Sequence, residues 1–339
     1  MILKQKGVFF FFILVADGVS EKGVEILSKE FECEIRAKLP AEELLEIIHE
    51  YDGLVVRSAS KVTKEVIEAA TNLKVIGRAG VGVDNIDIEA ATAKGIIVLN
   101  APEGNTIAAT EHTVAMMLSM ARNIPQAHSS VQNGEWKRNQ FVGVEMRGKT
   151  LGVIGLGRIG SGVAKRAIAF DMKVIGYDPY VNEERAKNMG IEVVSLEEIY
   201  ANSDFITVHM PLTAQTKDLI NNETISKMKD GVYLVNCARG GIINEADLAE
   251  AVKTGKVAGA AIDVFPKEPI DPTSPLLGVD KIVLTPHLGA STVEAQIGVS
   301  VDVAYGIVAA LKGEPVTTAV NMAPVAPHVL KFIKPYFGL

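Results

Sequence analysis

The ten residues "LGVIGLGRIG", 151–160, are typical of a buried strand that runs through a glycine-rich turn into a helix. In this G-x-G-x-x-G pattern, Gly155 permits the tight turn, Gly157 lets the backbone approach a pyrophosphate, and Gly160 lets the helix lie close to the strand. Phosphate groups bind the N–H groups at the N-terminus of such a helix. The sequence therefore predicts a dinucleotide-binding unit that begins almost halfway along the chain.

The stretch "VIGYDP" places an acidic residue, Asp178, at the end of the next predicted strand, 18 residues beyond Gly160. A carboxylate at this position accepts hydrogen bonds from the ribose 2′-hydroxyl and repels a 2′-phosphate. Asp178 therefore favours NAD over NADP. The structural alternative for Asp178 is a surface turn before Pro179.

Short apolar runs alternate with helical patterns along the whole chain. Five of these runs precede Pro102 and seven follow Thr150, and their continuous hydrophobicity is typical of parallel strands buried on both faces. After His287 we predict a helix that returns to the first sheet. Its apolar face is predicted to comprise Ile297, Val301, Ala304, Val308 and Leu311.

We therefore predict an α/β protein with two Rossmann-like, doubly wound parallel-sheet domains. The NAD-binding domain, residues 102–289, is inserted into a discontinuous, flavodoxin-like substrate domain made of residues 1–101 and 290–339. The two chain crossings, near residues 100–104 and 288–292, are candidate hinges. Asn244 is predicted to cap a helix whose first turn is acidic.

The 339 residues are 48% hydrophobic and 22% charged, with a formal net charge of −7. This charge gives no indication of a nucleic-acid surface, and local arginines would have to attract any anionic substrate. The two cysteines, Cys33 and Cys237, make no disulfide framework and fit a cytoplasmic protein.

Residues 8–16 near the N-terminus are nine consecutive apolar residues. We interpret them as a leader into a first strand at residues 13–16, with the core of a signal peptide as the alternative. No apolar run reaches the roughly 18 residues that a membrane span needs.

Three charged or titratable residues, Arg239, Glu268 and His287, each follow a predicted strand in the second half of the chain. The carboxyl ends of parallel strands meet at one edge of a sheet, where ligands bind. Hydride transfer from a secondary alcohol needs an imidazole to exchange the hydroxyl proton and a carboxylate to orient that imidazole. An arginine can bind a substrate carboxylate. Singly, each residue also fits a structural role: a rim salt bridge, a solvated loop acid or a capping histidine.

These residues lie in motifs that resemble those of the D-isomer-specific 2-hydroxyacid dehydrogenases. The resemblance covers nearly the whole chain, and its motifs are "GRAGVGVDNID" (77–87), "NAPEGNTIAATEH" (100–112), "LGVIGLGRIG", "YDP", "HMPLT" (209–213), "VNCARGGIINEADL" (235–248), "AIDVFPKEP" (261–269) and "TPHLGAST" (285–292). It implies an inserted NAD domain, a substrate cleft between two domains, and a homodimer or tetramer formed through the NAD-binding domain. It gives Arg239, Glu268 and His287 the catalytic roles above and implies no metal.

The resemblance also implies further contacts. Those to NAD are Gly155, Gly157, Arg158, Ile159, Gly160, Asp178, Cys237, Ala238, Arg239, Asp263, His287 and Gly289. Those to the substrate are Arg57, Ser58, Arg78, Gly80, Val81 and Asn105. Val81 and Met210 depart from the family pattern, because some relatives have threonine at these positions near the cofactor.

Within the family, the chain is most similar to the members that oxidise 3-phospho-D-glycerate to 3-phosphohydroxypyruvate, the first step towards serine. Arg57 matches their phosphate-binding arginine, with Arg78 as a helper. The alternative interpretation is that both are arginines on the rim that serve only solubility. Longer members continue past a similar "KPY" stretch into serine-sensing modules, whereas this sequence stops at Leu339. We therefore expect no inhibition by serine.

Two alternative functions stay open. A glyoxylate/hydroxypyruvate or D-lactate-type reductase shares the scaffold, and Arg57 distinguishes the phosphorylated substrate from theirs. An NAD(H)-sensing binding protein would keep the fold for partner recognition. A metal-dependent alcohol dehydrogenase has no support, because the histidines show no close ligand spacing; we interpret His112 and His128 as helix-face residues and His209 as a strand-end residue.

Overall fold

A computed structural model describes residues 11–37 and 39–322. Part of the apolar leader, residues 8–10, and the proline-punctuated tail with its "KPY" stretch lie outside the described residues. The chain divides into two compact units. The first combines the residues up to Asn105 with those from Thr292 onwards, and the second comprises Thr106–Ser291.

The first unit contains a five-stranded parallel sheet with the strand order β2-β1-β3-β4-β5. Its strands are β1 (Phe12–Val15), β2 (Glu32–Ile35), β3 (Gly53–Val56), β4 (Val75–Arg78) and β5 (Ile97–Asn100). This order is the flavodoxin-like one. It confirms the fold predicted for the outer domain.

Helices cover both faces of this sheet, which bury two separate apolar clusters. The helices are α1 (Glu21–Ser28), α2 (Ala41–Ile47), α3 (Lys64–Ala69), α4 (Ile88–Ala93) and α12 (Val293–Leu311), with a 3₁₀ turn at Ile48–Glu50. The long helix α12 returns from the far end of the chain and packs on α1, β4 and β5. Gly77 of β4 makes room for it, because a Cβ there would lie 2.4 Å from Val303 Cγ1.

The buried face of α12 differs from the predicted one. Ala295, Val299, Val303 and Ile307 are buried, whereas only Ala304 is buried among the five residues expected on that face. The helix is apolar around most of its circumference, so its periodicity does not identify the face that packs on the sheet. For the same reason, its length and composition alone would suit a membrane span.

The second unit contains a seven-stranded parallel sheet with the order β12-β11-β10-β9-β6-β7-β8. Its strands are β6 (Thr150–Ile154), β7 (Lys173–Tyr177), β8 (Glu192–Val193), β9 (Phe205–Val208), β10 (Val232–Asn236), β11 (Val257–Ile262) and β12 (Ile282–Leu284). The strand order reverses between β6 and β9, and ligands of doubly wound sheets bind at this switch point. The seven strands confirm the predicted Rossmann-like sheet.

Helices flank this sheet on both sides and again enclose two apolar clusters. They are α5 (Thr106–Ala121), α6 (Ile124–Gln132), α7 (Arg158–Ala169), α8 (Glu183–Asn188), α9 (Leu196–Asn202), α10 (Asn222–Ser226) and α11 (Glu245–Lys253), with a 3₁₀ turn at Arg138–Phe141. The side chain of Asn244 accepts a hydrogen bond from the Asp247 N–H, which confirms the predicted cap of α11.

Candidate active site

The glycine turn lies between β6 and α7, next to the switch point. A Cβ on Gly155, whose φ is +98°, would lie 2.6 Å from the carbonyl oxygen of His209, and a Cβ on Gly160 would lie 1.9 Å from the Gly155 carbonyl oxygen. A Cβ on Gly157 would meet nothing within 4 Å. Gly157 is the N-cap residue that precedes α7, and it offers no side chain to cap the helix. The uncapped N–H groups of α7 and the open space beside Gly157 fit the pyrophosphate of a dinucleotide.

Asp178 lies directly after β7, beside the glycine turn. Its Oδ2 accepts the Leu156 N–H at 2.9 Å, and its Oδ1 accepts the Tyr180 N–H at 2.8 Å. Each carboxylate oxygen has a second lone pair. The carboxylate is therefore held at the turn while it can still accept a ribose hydroxyl. Arg158 and Ile159 are the first residues of α7 and closely follow Leu156, whose N–H donates to the Asp178 carboxylate.

The structure brings two of the predicted catalytic residues into direct contact. His287 follows β12, Glu268 follows β11, and Nδ1 of His287 lies 2.7 Å from Oε2 of Glu268. The other carboxylate oxygen, Oε1, accepts the Phe265 N–H at 3.1 Å. A carboxylate accepts hydrogen bonds, so the neutral tautomer of His287 that fits this contact has its proton on Nδ1 and its lone pair on Nε2. The pair can therefore accept a proton at a fixed atom.

Arg239 follows β10, which neighbours β11 in the sheet, so its turn lies at the same edge. Buried Asn236 shapes this turn: its Nδ2 donates to the Arg239 carbonyl at 2.9 Å, and its Oδ1 accepts the Ala238 N–H at 3.0 Å. A Cβ on Gly240 would lie 1.9 Å from the Phe265 carbonyl carbon. The Arg239 turn thus packs on the backbone of the loop that carries Glu268.

A buried carboxylate, Asp263, underlies the His287 loop. The His287 N–H donates to its carbonyl oxygen at 2.9 Å, and the Leu288 and Gly289 N–H groups donate to its side chain at 2.8 and 2.9 Å. The Thr285 hydroxyl also donates to Oδ1, at 2.5 Å. The sequence indicated Asp263 only through the family resemblance, whereas the structure shows it supporting the loop.

His112 on α5 is a residue that the sequence interpretation missed. Its Nε2 lies 3.0 Å from Asp263 Oδ1 and 3.3 Å from the Thr285 hydroxyl. Burial raises the pKa of Asp263, but the hydrogen bonds from His112 and Thr285 outweigh that effect and the net pKa lies below its ordinary value. The helix face on which His112 lies points into this network.

Cys237 lies beside the same network, and its sulfur and donor atoms of His112 and Asp263 all lie within 4.8 Å of one another. Burial, with the nearby Asp263 charge, raises the pKa of the Cys237 thiol to about 12. His112 hydrogen-bonds directly to Asp263, so the three side chains form one buried polar cluster.

His209 follows β9 as expected, and Nε2 of its ring lies 3.0 Å from the Thr207 hydroxyl. Burial lowers the pKa of His209 to about 4. The imidazole is therefore neutral at physiological pH.

The predicted substrate residues lie at the carboxyl ends of strands in the first unit. Arg57 follows β3, and Asp17 and Asn85 hold its backbone: Asp17 Oδ2 accepts the Arg57 N–H at 2.5 Å, and Asn85 Nδ2 donates to the Arg57 carbonyl at 2.8 Å. Ser58 is exposed on the same loop. The guanidinium Nη1 of Arg57 donates to the Gly18 carbonyl at 3.2 Å.

Arg78 ends β4 and lies against Gly80, where a Cβ would be 1.5 Å from its Nη1. Gly80 adopts a φ of +153°, and Asn100 donates to the Val81 carbonyl at 2.7 Å. Oδ1 of Asn105 is buried and has no hydrogen-bond partner among the described residues. The backbone around Arg78 is thus fixed, and any side chain at Gly80 would displace the guanidinium.

Comparisons with known proteins agree with this geometry. Residues 114–289 match the model of "D-isomer specific 2-hydroxyacid dehydrogenase, NAD binding domain". The chain is 52% identical to the D-3-phosphoglycerate dehydrogenase of Archaeoglobus fulgidus and 51% identical to that of Bacillus subtilis, each over 96% of this chain and 62% of the relative. The chain thus spans about three fifths of the length of these relatives.

Solved structures are also similar. A glyoxylate reductase from Paecilomyes thermophila superimposes with a TM-score of 0.83 and 31% identity, covering 92% of this chain and 98% of that one. A D-lactate dehydrogenase from Aquifex aeolicus, solved with NAD and lactic acid, has a TM-score of 0.78 and 32% identity, covering 89% of this chain and 96% of that one.

Proposed function

Because the chain belongs to the D-isomer-specific 2-hydroxyacid dehydrogenase family, we propose that it oxidises 3-phospho-D-glycerate to 3-phosphohydroxypyruvate with NAD. The observation that carries the proposal is the 2.7 Å contact between His287 and Glu268 at the carboxyl edge of an NAD-binding sheet. Relatives about half identical to this chain bear the name of this activity. The reaction would be the first step of a route to serine.

His287 acts as the general acid–base in this proposal. NAD held at the glycine turn would supply the hydride acceptor for C2 of the substrate, and Nε2 of His287 would take the C2 hydroxyl proton as the carbonyl forms. The imidazolium that results is stabilised by Glu268 through Nδ1. In the reverse direction the same proton returns to the oxygen. Loss of a general acid–base costs about 10²–10⁴-fold in rate.

Arg239 binds the substrate carboxylate in this proposal, because a guanidinium forms paired hydrogen bonds with a carboxylate. Its turn rests on Phe265, three residues before Glu268, so the two side chains depend on one packed backbone. Asp178 selects NAD by accepting the ribose 2′-hydroxyl. The remaining NAD and substrate contacts implied by the family resemblance belong to this proposal as well.

Arg57, assisted by Arg78, binds the substrate phosphate in this proposal. The buried Asp17 carboxylate and Asn85 hold the Arg57 backbone, which leaves the guanidinium as the part that meets an anion. We expect Arg57→Ala to lower kcat/KM for 3-phosphohydroxypyruvate about 10- to 100-fold, because one charge-assisted contact with the phosphate is lost. Turnover of hydroxypyruvate, which has no phosphate, should change little. Arg147→Ala is the matched control, since the Arg147 side chain is 80% exposed. Equal losses on both substrates would contradict the phosphate assignment.

We also propose that the protein forms a homodimer through its second unit. Between α6 and the loop before β6, four large apolar side chains are exposed, namely Ile124, Val131, Trp136 and Val142. Trp136 is 84% exposed, and an exposed group of large apolar side chains is typical of a protein–protein interface. Sedimentation equilibrium should find a dimer in the wild type and a monomer in Trp136→Glu, with Tyr305→Glu as the control. An unchanged mass for Trp136→Glu would refute this surface.

We place the reaction in the cytoplasm, where both cysteines remain free thiols. The deciding assay measures NADH consumption with 3-phosphohydroxypyruvate beside hydroxypyruvate, glyoxylate, pyruvate and 2-oxoglutarate. A kcat/KM at least about tenfold higher for the phosphorylated acid would support the proposal. Preference for glyoxylate or pyruvate would keep the mechanism and change the substrate; one structural relative is a glyoxylate reductase and another a D-lactate dehydrogenase. No turnover, with NADH binding retained, would favour an NAD(H) sensor.

A further inference from the structure

His287 adopts a backbone conformation that the loop must enforce. Its φ is 55°, in the left-handed region that residues other than glycine rarely occupy. The N–H groups of His287, Leu288 and Gly289 all donate to Asp263, the first to its carbonyl and the other two to its carboxylate. The position of the Asp263 carboxylate therefore determines where His287 points.

Asp263 is in turn held from a different element. Its side chain is fully buried, and that of His112 is 17% exposed. His112 lies on α5, 151 positions earlier in the chain, and its Nε2 is 3.0 Å from Asp263 Oδ1. The ionised carboxylate has no proton to donate, so Nε2 carries the proton of this hydrogen bond. The contact thus ties the catalytic loop to the helix packed on β11 and β12.

We infer that His112 is a positioning residue for His287, acting through the Asp263 carboxylate and the 285–289 loop. This inference rests on the proposed function, because it assumes that His287 transfers the proton. His112 itself contacts Asp263 and Thr285, the residues that support the His287 loop. Its effect is expected on the chemical step more than on substrate binding, because a small misplacement of an acid–base group mainly affects turnover.

The test compares His112→Leu, which keeps much of the volume and removes the donor, with His112→Gln, whose side-chain amide N–H can reach Asp263. The control is Met116→Leu, because Met116 Sδ lies 3.6 Å from the Thr285 hydroxyl but does not hydrogen-bond to Asp263. We expect His112→Leu to lower kcat about 10- to 100-fold with KM and NADH affinity within about threefold of wild type. His112→Gln and Met116→Leu should stay within about threefold of wild-type kcat.

A kcat for His112→Leu within about twofold of wild type would overturn the inference, as would equal losses in the Leu and Gln variants. If His112→Leu does not fold, His112→Asn replaces it, because its shorter amide does not span the distance. Equal activity of the Asn and Gln variants would then count against the inference.

Hydrogen–deuterium exchange of the peptide covering residues 285–291 gives a readout independent of activity. We expect about fivefold faster exchange at the Leu288 and Gly289 amides in His112→Leu than in Met116→Leu. Unchanged exchange would refute the positioning role even if the enzyme is active. Conversely, faster exchange in a protein without turnover would support the network and reject the proposed function alone.

Discussion

Replacing Glu268 by glutamine tests the catalytic pair most directly, because the shape is kept and the charge is lost. The carboxylate accepts two hydrogen bonds, one on each oxygen: from the Phe265 N–H at 3.1 Å and from His287 Nδ1 at 2.7 Å. Glutamine has one acceptor oxygen for these two donors. If that oxygen keeps its hydrogen bond from the Phe265 N–H, the glutamine NH₂ faces Nδ1 of His287. This donor favours the imidazole tautomer that has its proton on Nε2. In that tautomer, Nε2 cannot accept the substrate proton.

The size of the effect follows from these contacts and from exposure. The His287 and Glu268 side chains are 48% and 38% exposed, so water screens the pair and the lost charge should cost about 1.4 kcal/mol, or tenfold. Competition between two donors for one oxygen should cost roughly another tenfold. We therefore expect kcat for Glu268→Gln to fall about 100-fold, with little change in the melting temperature because the pair is half exposed.

The assay follows NADH absorbance at saturating substrate for Glu268→Gln, His287→Gln and the double variant. Exposed Glu250 on α11 provides the matched control, Glu250→Gln, which removes the same charge far from the loop. The kcat of the double variant should be at most about threefold lower than that of His287→Gln alone, because the effects of residues that act as a unit are not additive. Turnover of Glu268→Gln within about threefold of wild type would refute the orienting role of the carboxylate.

Three further outcomes are expected. Gly160→Ala should weaken NADH binding and lower the melting temperature, because its Cβ would lie 1.9 Å from a carbonyl oxygen. The Cβ of Gly157→Ala would meet nothing within 4 Å, so this variant should weaken NADH binding without a change in melting temperature. Fluorescence titrations measure the NADH binding of both variants. The pKa of about 4 for half-buried His209 lies below the value of about 6.5 for an unfolded chain, so only the unfolded state gains a proton between these values. The free energy of unfolding should therefore fall as pH drops from about 6.5 towards 4, and less so in His209→Gln, as measured by denaturant titrations. Burial raises the pKa of both thiols, but Cys237 is buried whereas Cys33 is half-buried, so iodoacetamide should alkylate Cys33 slowly in the native protein and reach Cys237 only after denaturation, as read by mass spectrometry.

The sheets were predictable from the sequence because parallel strands leave a continuous apolar signal. The twelve strands of the described chain coincide with the twelve runs that predicted them, although two of the four residues of β2 are glutamates, and Glu268 and His287 each follow a predicted strand. The buried face of α12 was not predictable from the sequence. The helix is apolar on most sides, so packing against the sheet, and not hydrophobic periodicity, determines which face is buried. Gly77 determines that packing from a strand more than 200 positions away.

The residues that support the His287 loop were also not predictable from the sequence. His112, Asp263 and Thr285 come from three separate segments, and no short-range spacing connects them. A histidine on a largely apolar helix is usually a surface or core residue, so His112 carried no signal of its own. The family resemblance drew attention to Asp263, whereas only the folded structure showed what its carboxylate holds.

The two-part first unit also imposes an order on synthesis. Helix α12 covers β4 and β5, and the Ser300 hydroxyl accepts the Ser20 N–H at 3.0 Å across 280 positions. At about 5–20 residues per second, the ribosome takes roughly 10 to 40 seconds to pass from residue 105 to residue 292. During that interval the nascent five-stranded sheet lacks the helix that covers one of its apolar faces, while the second unit is already emerging in full. Helix α12 therefore closes the first sheet, and until it emerges the nascent chain exposes an apolar surface suited to chaperone binding.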